Sequence, residues 1–363
     1  MTAMQIWPPY APSMLNGIAL LLALGFRRNR AAMVLAIVTC ASLLLAGGAT
    51  VAPGERSIEA VRMFAPWLLL AAAAMPERRL AARRNLLLLG LLALAGWSAL
   101  AASGEAWAGL RDLLALGWLP WSSGQVAAGL VVIAAACCLV RWMRQRTLME
   151  FALVPVLVVV AIALLPVMRP GATNDLLGVA GAIALMGVLY TSYRMAFVDG
   201  LAGLPNRRAL DETLARISGD YALAMVDVDH FKAFNDRHGH AAGDRALRAV
   251  AGQLRVTRGA SAFRYGGEEF CLLFSGARAR EAKQTCEELR ERIAQMHVSV
   301  RSPPAGKKPQ APRRRNPGAV KVTVSIGLAG RGAQTRPATD VLKAADKALY
   351  RAKTKGRNRV VSG

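Results

Sequence analysis

Lysine is absent from the first 231 residues of this 363-residue chain, and histidine from the first 229. Acidic residues are scarce throughout: 23 Asp and Glu stand against 46 Lys and Arg, a formal net charge of +23. Aromatic residues make up only 6%. The five cysteines show no paired spacing, which excludes the disulfide framework of a small secreted domain. Without histidine, the first half has no imidazole to ligate haem or copper. What the chain has in abundance is apolar surface. A hydrophobic content of 54% and a mean hydropathy of +0.31 exclude disorder as the main state and exceed what an ordinary soluble protein carries.

The composition changes near residue 193. The first 192 residues hold 14 Arg and 7 acidic residues; the rest hold 32 basic and 16 acidic ones, with all four His (His230, His238, His240, His297). The length allows about two domains. The reading is an all-α, multi-span membrane domain over 1–192, a short connector over 193–198 and a basic α/β (α+β) domain over 199–363.

Seven apolar stretches read as membrane helices: 10–26, 31–50, 57–75, 85–102, 125–141, 150–168 and 175–192. Most approach the length of about 20 residues that crosses a hydrocarbon core. Arg62, near one end of the third, is placed to snorkel to the interface. No Lys or Arg precedes Arg27, so the basic region of a cleaved signal peptide is missing and the first stretch is kept as a span. Arginines cluster after spans one (Arg27, Arg28, Arg30), three (Arg78, Arg79, Arg83, Arg84) and five (Arg141, Arg144, Arg146). The alternate loops hold single arginines, Arg56, Arg111 and Arg169. The positive-inside rule then puts the N-terminus outside and the segment after span seven in the cytoplasm of a cell with a bacterial-type inner membrane. The loop at 103–124, with Trp107, Trp118 and Trp121, falls outside. This half reads either as a sensor for an unknown signal ligand or as an anchor and dimerisation unit. Cys137–Cys138 reads as two small apolar residues on different sides of a helix.

In the second half, Tyr221–Asp227 is an apolar run ending in an acid, a buried strand. Ser261–Tyr265 and Glu269–Phe274 flank Gly266–Gly267 as a tight hairpin, for which primed turns want positive φ. Ala241–Val256, Ala277–Met296 and Thr339–Lys353 read as helices, and Val322–Leu328 as a strand. The order suggests a compact α/β sandwich with one face of the sheet covered by helices. Asp227 and Glu268 then end up at neighbouring strand ends. Two hard oxygen ligands beside a phosphate-sized opening suit Mg²⁺, and glycines let a substrate approach the backbone.

Five motifs occur in order. They are Asp199-Gly-Leu-Ala-Gly-Leu-Pro-Asn-Arg-Arg208, the stretch Asp227-Val-Asp-His-Phe-Lys-Ala-Phe-Asn-Asp-Arg-His-Gly-His-Ala-Ala-Gly-Asp244, Arg264-Tyr-Gly-Gly-Glu-Glu-Phe270, Val322-Thr-Val-Ser-Ile-Gly327 and Ala345-Asp-Lys-Ala-Leu-Tyr-Arg-Ala-Lys-Thr-Lys-Gly-Arg-Asn358. Together they closely resemble the GGDEF domain of diguanylate cyclases, in its GGEEF variant, over about 199–360. The resemblance implies a fold similar to the palm of polymerases and nucleotidyl cyclases. It implies condensation of two GTP into cyclic di-GMP with release of pyrophosphate, across a homodimer in which each domain holds one GTP. It implies two Mg²⁺ (or Mn²⁺) ions per active site, held by Asp227, Glu268 and the Val228 carbonyl, with Glu269 as catalytic support. Guanine selection falls to Asn235 and Asp244. Phosphate binding falls to Lys232, Lys353 and Arg357 with the amides around Phe231. Arg264 acts structurally or in product contacts. His230, His238 and His240 read as structural, and Cys271 and Cys286 as core fillers.

Two departures stand out. Many relatives carry an Arg-x-x-Asp product-inhibition site just upstream of the signature; here those positions are Thr257-Arg258-Gly259-Ala260, without the acid. The basic insertion 301–321 holds seven Lys and Arg and no acid. It reads as a solvated loop or as a contact with anionic membrane lipid. With no aromatic among the charges, no nucleic-acid partner is expected. The alternatives to a cyclase are a catalytically silent receptor for GTP or cyclic di-GMP, and a transporter regulated by its soluble half. The latter would need interrupted helices, for which Pro66, Gly90 and Pro155 are the candidates.

Overall fold

A computed structural model of the chain describes residues 7–46, 54–74, 90, 123–145, 147–300, 319–331 and 337–363. They fall into two compact units, Met1–Tyr193 and Arg194–Gly363.

The first unit is helical: α1 Ala11–Gly25, α2 Asn29–Ala46, α3 Gly54–Ala74, α4 Ser123–Gln145, α5 Leu148–Ala163 and α6 Pro170–Phe197. The last four residues of α6 belong to the second unit. Among the described residues three helices are long and apolar enough to cross a membrane: Asn29–Ala46, Gly124–Gln145 and Pro170–Phe197. Ala11–Gly25 and Leu148–Ala163 are shorter apolar helices. Gly54–Ala74 has the length, but Glu55, Arg56, Glu59 and Arg62 charge its first half. The expected span at 85–102 and most of the loop at 103–124 lie outside the described residues. The Arg62 guanidinium donates to the carbonyls of Leu164, Leu165 and Met168 at 3.1, 2.6 and 3.0 Å, just beyond the end of α5. Arg30 and Glu150 form a buried ion pair between α2 and α5. Cys138 is buried, Cys137 partly so, and both are free thiols. The connector expected at 193–198 is helical through Phe197.

The second unit continues with α7 Arg207–Arg216, β1 Tyr221–Val228, α8 Phe231–His238, α9 His240–Arg255, β2 Ala260–Arg264 and β3 Glu269–Ser275. A single 3₁₀ turn, Gly276–Ala279, replaces the expected start of the next helix, which is α10 Ala282–Gln295. Then follow β4 His297–Ser299, β5 Ala319–Lys321, β6 Val324–Gly330, α11 Ala338–Thr354 and β7 Val360–Ser362. The main sheet has the order β2-β3-β1-β6-β7, antiparallel except for β6–β7. The short strands β4 and β5 pair with each other on either side of 301–318, most of the basic insertion, which lies outside the described residues.

Both faces of the sheet are covered, not one. Ala222, Ala224, Val226, Phe270, Leu272 and Phe274 pack one face against α9 and α10. Leu223, Met225, Cys271 and Leu273 pack the other against α7 and α11. The reason is visible in β1, where all eight residues are buried: a strand apolar at consecutive positions has no face to give to water. Burial among these apolar neighbours pushes the Cys271 and Cys286 thiols up to about 12, as expected of inert core residues.

Helix α11 lies directly on β6. A Cβ placed on Gly327 would overlap the backbone N of Leu349 and the carbonyl of Ala345, so only glycine permits this approach. Helix α7 is capped by Asn206, whose side-chain oxygen accepts from the Ala209 amide at 3.1 Å. That side chain also donates to the Ala196 carbonyl at 2.8 Å.

Candidate active site

Strand β1 ends in Asp227 and Val228, in register with Glu269 of β3 and with Ser325 and Val324 of β6. Asp227 is therefore central in the sheet and only 4% exposed. The connection from β2 to β3 is Tyr265-Gly-Gly-Glu268, closed by bonds from the Tyr265 and Gly266 amides to the Glu269 carbonyl at 2.9 and 3.1 Å. The Val228 amide reaches the Glu268 carbonyl at 3.4 Å, which brings the two acids to one strand edge. The Lys353 ammonium, in the last turn of α11, sits 2.8 Å from Asp227 Oδ2.

The electrostatics follow. Burial raises the Asp227 carboxyl above its ordinary value; Asp229 adds to this, and Lys353 and Arg357 oppose it. Burial also raises Glu268, with Asp227 and Glu269 adding repulsion and Lys353 opposing. Two carboxylates whose charge is costly in place are a fitting receptacle for a divalent cation. Among the described residues there is no group of three or more His, Cys, Asp or Glu able to hold a metal. Two acids and a carbonyl leave the remaining positions to phosphate and water, as Mg²⁺ prefers.

The turn is held from behind. Arg264 donates to the carbonyls of Gly266 (3.2 Å) and Gly267 (2.6 Å) and to Asp199 Oδ1 (2.6 Å). Asp199 Oδ1 also accepts from the amides of Leu201 and Ala202. Burial raises the Asp199 carboxyl, but the Ala202 amide, Arg264 and the Leu201 amide outweigh it, and the net direction is down. Neither signature glycine has positive φ, so the expected primed-turn reason does not hold. The turn is fixed by Arg264, and nothing lies within 4 Å of where a side chain on Gly267 would begin. A cavity of about 550 Å³ lies on the Asp199–Arg264 side of this turn and is not lined by Asp227 or Glu268.

Beyond β1, His230 takes a left-handed conformation (φ 55°) and α8 starts at the buried Phe231. Lys232 is exposed on its first turn. Asn235 lies further along α8, and its Oδ1 is buried without a hydrogen-bond partner. It packs against Gly243 of α9, one residue before the half-buried Asp244. An orphaned amide oxygen beside a carboxylate suits a ligand offering both donors and acceptors, as a nucleobase edge does. Arg357 is half-buried, in a left-handed turn after α11 (φ 62°), close enough to Asp227 to act on its charge.

The sequence profile described as diguanylate cyclase, GGDEF domain, matches residues 196–359. Over these residues the chain belongs to the GGDEF family. Diguanylate cyclase DgcP of Pseudomonas aeruginosa is 38% identical over 175 residues, 46% of this chain and 24% of that protein. Diguanylate cyclase VdcA of Vibrio cholerae is 37% identical over 171 residues, 46% of this chain and 47% of that protein. The chain thus spans between about a quarter and a half of the length of these curated relatives. The solved coiled coil and GGDEF domain of DgcB from Caulobacter crescentus, in complex with c-di-GMP, is 34% identical over 51% of this chain and 95% of that one, with a TM-score of 0.44.

In this GGDEF domain, Asp227, Glu268, Lys353 and Arg357 gather at one strand edge, while Asn235 of α8 packs against Gly243 of α9, the residue before Asp244. Among the described residues, Lys232, exposed on the first turn of α8, makes no hydrogen bond or ion pair with either group. Motif reading missed Gly243. A Cβ there would overlap Asn235 Oδ1 and lie 3.1 Å from Phe231 Cζ, so the glycine makes room for the amide. Its signal in the sequence was a glycine inside a helical pattern. Two of the three histidines read as structural have local roles: His230 in the turn, and His238 with its ring 4.9 Å from that of Phe234.

Proposed function

We propose that this GGDEF protein is a diguanylate cyclase that condenses two GTP into cyclic di-GMP and releases two pyrophosphates. The 3′-oxygen of each GTP attacks the α-phosphorus of the other, the bond to the β-phosphate oxygen breaks, and pyrophosphate leaves. Each domain of a homodimer holds one GTP. The single observation that carries this reading is the meeting of Asp227 and Glu268 at one strand edge under the Lys353 ammonium.

The roles follow from the chemistry of the groups. Asn235 and Asp244 take the guanine edge, the carboxylate accepting from N1–H and the amino group. Lys353, Arg357 and Lys232 take the triphosphate, with the amides at the start of α8 around Phe231. Asp227, Glu268 and the Val228 carbonyl would hold Mg²⁺ or Mn²⁺, which when bound neutralises charge growing on the α-phosphate and makes the 3′-hydroxyl easier to deprotonate. Glu269, in register with Asp227, supports this acid pair. The Arg-rich loops support a protein of the inner membrane with its GGDEF domain in the cytoplasm. Control then acts on the pairing of two domains. The basic insertion 301–321 is proposed to touch anionic lipid on the same leaflet.

The test is incubation of the purified full-length protein with GTP and Mg²⁺, with cyclic di-GMP as readout, beside Glu268→Ala. Product from the wild type alone supports the cyclase. Tight GTP binding without product, at any protein concentration, supports the receptor reading instead.

A further inference from the structure

Asp229 follows the two residues assigned to the metal, yet no role has been assigned to it. It is 8% exposed, and every contact of its carboxylate is accounted for. Oδ1 accepts from the Ser325 hydroxyl at 2.6 Å. Oδ2 accepts from the Thr323 hydroxyl at 2.7 Å and from the Asn358 amide at 3.1 Å. Its own amide donates to the Thr323 carbonyl at 2.9 Å. Three donors converge on one side chain, which matches a carboxylate, an acceptor at both oxygens; an asparagine would turn an NH₂ donor toward one of them.

The third of these donors matters most. Asn358 belongs to a turn in which Gly356, Arg357 and Asn358 have φ of 105°, 62° and 43°. Two consecutive residues with side chains in the left-handed region are unfavourable and persist only where the surroundings hold them. The turn is pinned at four places, one of them the Asn358 side-chain oxygen, which accepts from Arg290 at 3.2 Å. The Arg357 amide bonds back to the Ala352 carbonyl of α11, and the Arg359 carbonyl is held by Ile326 of β6. Between them, the Asn358 amide is held by Asp229 with a charge-assisted bond. Arg357, the residue before that bond, lies near enough to Asp227 to favour its charged form.

We propose that Asp229 is a positioning residue for the nucleotide's triphosphate: it holds the 356–358 turn so that Arg357 faces the strand edge carrying Asp227. It touches no substrate itself and acts through Arg357. The inference rests on the phosphate role of Arg357 proposed above.

The test uses the full-length protein in detergent and measures affinity for GTP and for GMP by titration calorimetry with Mg²⁺. Arg357→Ala and Asp229→Ala are each expected to weaken GTP about tenfold, with GMP much less affected, because GMP lacks the outer phosphates. The double variant is expected to be no weaker than Arg357→Ala, since both changes remove one interaction. Asp229→Asn is expected to fall between. Ser325→Ala removes a donor to Asp229 but leaves the Asn358 bond, so it is expected to lower Tm while GTP affinity holds. Three results overturn the inference: an additive double variant, equal losses for GTP and GMP in Asp229→Ala, or weakened GTP binding in Ser325→Ala. If Arg357→Ala binds GTP as the wild type does, the phosphate role of Arg357 fails and the inference falls with it. If Arg357→Ala is weakened and Asp229→Ala is not, only the positioning role fails.

Discussion

Lys353 Nζ lies 2.8 Å from Asp227 Oδ2, so the buried carboxylate proposed to hold the metal is paired with a cation built into the chain. Side-chain exposure differs sharply across this pair, 33% for the lysine and 6% for the aspartate. The lysine can swing to water or to a phosphate; the aspartate cannot leave. Replacing Lys353 by Met should therefore have opposite effects on two ligands. Without nucleotide, Mn²⁺ should bind several-fold more tightly, because an uncompensated carboxylate remains. GTP should bind about tenfold more weakly, because a phosphate donor is gone. Manganese titration followed by paramagnetic resonance, with a parallel GTP titration, measures both.

Glu268 should cost the metal-free fold stability. Its carboxyl is raised in the folded state, so folding favours the protonated form and penalises the charged one. The penalty is present above the raised folded value and fades as pH falls through it toward the ordinary carboxylate range of about 4. Glu268→Gln is expected to melt higher than the wild type at pH 8 without Mg²⁺, with the gap closing toward about pH 4. Saturating Mg²⁺ and GTP should reverse the order, because only the wild type gains binding energy there. Differential scanning fluorimetry across pH checks the sign.

Gly243→Ala should damage base selection without touching the metal site. The new methyl would displace the Asn235 amide. GTP affinity is expected to drop about tenfold or more, and the preference for GTP over ATP to shrink, with Mn²⁺ binding intact. Competition by ATP against a fluorescent GTP analogue measures the preference.

Product feedback should be absent at 257–260. Thr257 is buried and its hydroxyl donates to the Gln253 carbonyl at 2.9 Å, and no acid follows. Arg258→Ala is expected to leave the response of the initial rate to micromolar cyclic di-GMP unchanged. Inhibition that Arg258→Ala abolishes would contradict this.

The second unit was legible where its sequence is periodic or uniformly apolar. Strand β1 is an unbroken apolar run, and α9 repeats Ala246, Leu247, Val250, Ala251 and Leu254 at helical spacing. Helix α8 was hidden because only Phe231 of its eight residues is buried, leaving no stripe to read. Strand β7 has three residues and exists only through parallel pairing with β6, which no local pattern encodes. The site divides in the same way. Asp227 and Glu268 stand out as acids at a strand end and beside a Gly-Gly pair. Asp229 does not, because its partners Thr323, Ser325 and Asn358 lie 94, 96 and 129 residues away. The covering of both sheet faces could have been read from β1 alone. In the first half, Asn29–Ala46, Gly124–Gln145 and Pro170–Phe197 are legible as long apolar runs, while α1 and α5 are apolar but shorter.

The seam at Gly327 has a mechanical consequence. Sheet and helix meet there backbone to backbone, and the helix that rests on the seam delivers Lys353 to Asp227. At that point no side chain lies between them to act as a cushion. The proposed phosphate slot is thus gauged at this seam by the thickness of a peptide chain rather than by rotamers that could be reset. In the proposed cyclase a signal has little purchase on such a slot within one domain, and the adjustable quantity left to it is how often two such slots meet.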